Sequence, residues 1–74
     1  MQAEVDALVV EVNYLDVHGV GHVDVTVVYR DRSLDTTRLG VESVPDGLQP
    51  GDQVVVSKVM NMIVALRKPN PPRG

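Results

Sequence analysis

A chain of 74 residues forms one domain, at a size where a single core only just outweighs conformational entropy. It has no cysteine and no His/Cys cluster, which excludes disulfides and structural zinc as supports and leaves packing or association to supply the rest. The net charge is -3, and all 7 Lys and Arg residues lie beyond position 29, so an acidic first half disfavours a phosphate backbone as partner.

Apolar residues make up 43% of the chain, yet Phe and Trp are absent and Tyr14 and Tyr29 are the only aromatics. Valine dominates instead, and branching at Cβ stiffens χ1 in a way that suits a pleated sheet. The start Met1-Gln2-Ala3-Glu4-Val5-Asp6 is acidic where a signal peptide is basic, and no apolar stretch approaches spanning length. The expectation is a cytoplasmic protein without a membrane segment.

The first strand is predicted over Val5–Tyr14, with Leu8, Val10 and Val12 as its inward row and Ala7 and Val9 opposite. The segment from Asp16 to His22 reads as a hairpin tip, with a three-residue turn at Gly19–Gly21 because glycine tolerates positive φ. A second strand follows in which Val23, Val25, Val27 and Tyr29 alternate with mostly polar residues and so share one face. Antiparallel partners keep a constant index sum, so that turn makes His18 face His22, Asp16 face Asp24, Tyr14 face Thr26 and Val12 face Val28. The register groups Leu15 and Val17 with the second-strand valines but adds Glu11 and Asn13 and strands the row Leu8, Val10, Val12. A β-bulge near Asn13 is predicted to flip the parity.

Asp31-Arg32-Ser33 breaks the chain, and Leu34–Val41 resumes it as a third strand. The breaker-rich stretch Glu42–Asp52 is a connection, with room for a short 3₁₀ turn at Asp46–Leu48. Strands four and five are predicted over Gln53–Val59 and Met62–Arg67, reversing at Met60-Asn61. The unbroken run Val54-Val55-Val56 indicates contact on both faces, as when a strand closes a barrel or is covered by a neighbouring subunit. Residues 68–74 are proline-rich and read as a flexible tail. Residues 1–67 therefore form a single all-β domain, a small five-stranded antiparallel barrel of the OB-like or SH3-like kind with no long helix.

Gly47-Leu48-Gln49-Pro50-Gly51-Asp52-Gln53-Val54, followed by a hairpin ending Met62-Ile63-Val64-Ala65-Leu66, resembles the closing half of the TOBE and molybdate-binding (Mop) domains of the OB-like group. The resemblance covers residues 47–66, about a third of the chain. It implies a small barrel that assembles with copies of itself or sits on a larger protein, and in the Mop branch an oxyanion bound between subunits. The Ser-Ala-Arg-Asn stretch near the start of that family is missing here, so no oxyanion site is carried over.

Four residues offer ligand chemistry. The proposed pairing would bring Asp16, His18, His22 and Asp24 to one hairpin end, and imidazole with carboxylate suits zinc, nickel or copper. The same residues also read as an ordinary solvated turn. Arg30, Arg32 and Arg38 flank the second hairpin and could meet an acidic partner or phosphate, or simply balance Asp31 and Asp35. Met60 and Met62, with Ile63, could form an adaptable apolar patch for a protein partner or close one end of the barrel. Tyr29 reads as a barrel residue, since base stacking uses several aromatics on one face. The serines lack a neighbouring base and no glycine-rich loop enters a helix, so neither catalysis nor a bound cofactor is expected.

The reading is a non-catalytic binding or assembly module, acting as a homo-oligomer or a small subunit of a larger complex. One alternative is a ligand-binding barrel, with metal at the His18/His22 tip or a small oxyanion between subunits. Another is an OB-type single-stranded nucleic-acid binder, which the acidic charge disfavours.

Overall fold

A computed structural model describes residues 2–69 of the chain. Five strands follow one another: β1 (Gln2–Val17), β2 (Val20–Tyr29), β3 (Leu34–Gly40), β4 (Gln53–Val59) and β5 (Met62–Arg67), with a 3₁₀ turn at Val41–Ser43 between β3 and β4. They form a single antiparallel sheet in the order β3-β2-β1-β4-β5. The long β1 organises the sheet: Gln2–Leu8 pairs with β4 and Ala7–Val17 with β2. The edge strands β3 and β5 approach each other without forming a ladder, so the sheet coils but does not close. The all-β, five-stranded antiparallel architecture is as predicted.

The first hairpin corrects the predicted register. Its turn is His18-Gly19, both left-handed at φ 52° and 81°, with Val17 paired to Val20. A two-residue turn of this kind matches the twist of the flanking strands, and histidine is among the residues that tolerate αL. The index sum beyond the turn is accordingly odd: Tyr14 faces Val23, Val12 faces Val25, Asp16 faces Gly21 and Leu15 faces His22. His18 therefore does not face His22, nor does Asp16 face Asp24.

That parity also relocates the bulge and the inward row. The register slips between Val9 and Glu11 rather than near Asn13, leaving Val10 unpaired. Val12 reaches the core on one side of the slip, Ala7 and Val9 on the other, while Leu8 and Val10 are exposed. Leu15 and Val17 lie on the face opposite Val23, Val25 and Val27. An extra residue in one strand exchanges its faces, which is how a single strand serves two neighbours in a coiled sheet.

The concave side is filled by small side chains. Val23, Val25, Val27, Val54 and Val56 are fully buried, joined by Ala7, Val9, Leu39, Leu48, Ile63 and Leu66. Val55 is buried as well but lies outside this core, on the opposite face between Asp6 and Arg67. The triple valine thus contacts both faces within one chain, without a covering subunit.

The β3–β4 connection is ordered by a specific turn. Pro50 and Gly51 occupy its central positions, Gly51 at φ 94°, while the Asp52 N–H donates to the Gln49 carbonyl at 3.2 Å. Positive φ after proline is the signature of a type II turn. The Asp52 carboxylate accepts from the Gln49 N–H at 3.0 Å. The Gly51 N–H donates to the Val9 carbonyl at 2.8 Å and the Val9 N–H to the Asp52 carbonyl at 2.9 Å, so the turn is moored to β1 at its bulge. The 3₁₀ turn predicted at Asp46–Leu48 is displaced to Val41–Ser43, because Gly47 adopts φ 69° and ends any right-handed turn there. Of the predicted tail, Lys68 and Pro69 carry no regular structure and residues 70–74 lie outside the described residues.

Candidate binding surface

The polar tip of the first hairpin does not converge. Asp16 is used locally, its Oδ1 accepting from the Gly19 N–H at 2.7 Å and so bracing the turn. His18 projects from the turn itself, and His22 Nδ1 lies 3.0 Å from the Val20 carbonyl. Asp24 shares the outer face with His22 but is committed to β3: Arg38 Nε donates to Oδ1 at 2.7 Å and Nη2 to Oδ2 at 3.0 Å. Hydrogen bonds from this guanidinium hold the Asp24 carboxyl below the usual carboxylate range. Among the described residues, no group of three or more His, Asp or Glu side chains is arranged to hold a metal ion.

The three arginines also separate. Arg38 is the cross-strand partner of Asp24, Arg30 forms an exposed ion pair with Asp6 at 3.5 Å, and Arg32 sits in the β2–β3 turn at φ 71°. They do not form one basic patch.

A second polar cluster lies where β2, β3 and β4 meet across the open side of the sheet. The Tyr29 hydroxyl donates to Asp35 Oδ2 at 2.9 Å, Lys58 Nζ lies 3.8 Å from the same oxygen, and that ammonium stands 5.1 Å from the centre of the Tyr29 ring. β3 and β4 are not neighbours in the ladder, so these contacts tie the edge strand β3 to β4 through side chains alone. Burial, then the Asp35 carboxylate, pushes the Tyr29 phenol up to about 12 from the ordinary value of 10.0. The folded pKa exceeds the unfolded one, so the stabilisation is complete below pH 10.0 and lost as pH rises toward about 12. A phenolate absorbance titration should show one tyrosine ionising near the upper value, and Tyr29→Phe should remove that step. Absence of any step near the upper value would show that Tyr29 is not held in this way.

Apolar side chains emerge at two places on the outer surface. At the β4–β5 reversal Met60 is 79% and Met62 69% exposed, while Ile63 points into the core. The methionines therefore do not close the end of the barrel. On the β1–β2–β3 outer face the register aligns Leu8, Val28 and Leu34 in one row across three strands, with Leu34 66% exposed. Leu8 and Val28 also line a groove of about 400 Å³, whose polar members include Asp6, Arg30 and Gln53. Sequence reasoning missed this row and Asp6, because its faces follow from a register that only the true turn length supplies.

No protein-family model, no curated protein and no solved structure matches this chain. Among the described residues no helix is long and apolar enough to cross a membrane.

Proposed function

We propose that this chain is a non-catalytic assembly module that associates with copies of itself through its outer surface. The observation that carries the reading is Met60: its backbone is left-handed at φ 50° and its side chain is 79% exposed. Both properties are unfavourable in an isolated chain, since an L-residue in αL is strained and an exposed thioether forgoes burial. Local strain of this kind persists where surrounding contacts or function require it. Methionine is also well suited to an adaptable contact. The edges of β3 and β5, each without a second ladder partner among the described residues, add further valence for association. We read the open, coiled five-stranded sheet as a partly open barrel of the OB type, the group to which residues 47–66 bear their resemblance.

Molar mass by light scattering tests the reading. The wild-type chain should exceed the mass of one chain as concentration rises, and Met60→Asn/Met62→Thr should reduce that mass while remaining folded. A wild type that stays monomeric at every concentration overturns the proposal, whereas a double variant that associates unchanged overturns the tip as its contact and leaves self-association through another part of the outer surface.

A further inference from the structure

We propose that the Leu8–Val28–Leu34 row and its adjoining groove form a two-fold interface that takes a second copy of this chain. The inference rests on the reading that the chain self-associates, but it concerns a surface separate from the β4–β5 tip.

The argument begins with the register. Val28 pairs with Leu8 on one side and Leu34 on the other, so three aliphatic side chains stand side by side at a strand spacing of about 5 Å. Leu34 lies on the edge strand and projects 66% exposed, whereas Leu8, 43% exposed, and the half-buried Val28 line the groove. One face therefore carries an aliphatic knob beside a groove of about 400 Å³ that Leu8 and Val28 line together with the polar groups Asp6, Arg30 and Gln53. A knob next to a matching cavity is self-complementary under a two-fold axis: each copy inserts Leu34 into the groove of the other, and the arrangement closes at two.

Charge supports the same occupant. Asp6 and Arg30 border the groove and form a 3.5 Å pair whose side chains remain 66% and 89% exposed. A two-fold axis through the face can bring Arg30 of one copy toward Asp6 of the other, exchanging the two solvent-exposed pairs of the separate copies for two pairs across the rim of the interface. An exclusively acidic or basic partner would satisfy only one member. Gln53, opposite Leu8 on β4, adds an amide that can donate and accept at the same rim.

Sedimentation velocity on the full chain tests the interface. Leu34→Glu, a change at an exposed site, should leave the melting temperature unaltered in dilute solution, where the chain is monomeric, and abolish the dimer formed through this face at higher concentration. Arg30→Asp should weaken that dimer about tenfold or more, and Asp6→Arg/Arg30→Asp should restore it, because the exchanged charges regain their partners. A wild type that associates while Leu34→Glu associates equally well refutes this face and leaves the tip-based reading standing. Association lost in Leu34→Glu but unaffected by Met60→Asn/Met62→Thr supports this face and refutes the tip. A strictly monomeric wild type overturns both, and failure of the charge exchange to restore what Arg30→Asp removes refutes the two-fold pairing.

Discussion

Leu48→Ala is expected to lower stability by about 2–5 kcal/mol, the range for truncating a buried leucine whose cavity only partly collapses. Leu48 is 3% exposed, belongs to the core cluster and comes from an otherwise irregular connection. It is held there by the type II turn at Pro50-Gly51, itself hydrogen-bonded to Val9. Because Leu48 cannot relax independently of a moored turn, the upper half of the range is expected. For a domain of this size each kcal/mol corresponds to about 4–8 °C in Tm, so the variant should be partly unfolded at ambient temperature. Urea unfolding followed by circular dichroism measures the difference. A loss below about 1 kcal/mol would mean that the connection is not part of the cooperative unit.

The same turn shows why some of this molecule was legible in its sequence. Proline followed by glycine prescribes a local geometry, and the strands after it, Gln53–Val59 and Met62–Arg67, begin and end where residue type alone places them. The reversal at Met60-Asn61 was equally local, and both residues adopt positive φ. The faces of β1 were not local. They depend on whether the first hairpin turns on two residues or three, and the glycines at 19 and 21 support either count. Val17-His18-Gly19-Val20 did contain a usable signal, since a left-handed histidine before glycine fits a two-residue turn. Missing it moved Asp24 from Arg38, its actual partner, to an imagined cluster with Asp16 and the histidines. The Leu8–Val28–Leu34 row was hidden by the same error, because the bulge at Val10 decides which side Leu8 occupies.

Met60→Asn/Asn61→Gly is expected to stabilise the isolated chain by about 1–2 kcal/mol and raise Tm by several degrees, while weakening association. Met60 and Asn61 take φ 50° and 69° in a two-residue reversal between Val59 and Met62. Asn-Gly is the preferred pair for such a turn: asparagine tolerates the left-handed region and glycine enters it without steric cost. Neither native side chain is buried, so the replacement removes strain without removing core contacts. A natural chain this small has little stability to spare, and retaining a strained, exposed methionine makes physical sense if another surface covers it. The two effects should therefore have opposite signs: a higher melting temperature in dilute solution and a lower molar mass in concentrated solution. If the variant were more stable and associated as strongly as the wild type, Met60 would be a tolerated local cost rather than a contact. If it were less stable, the native Met60 and Asn61 side chains would contribute more to the folded chain than their left-handed backbone costs it.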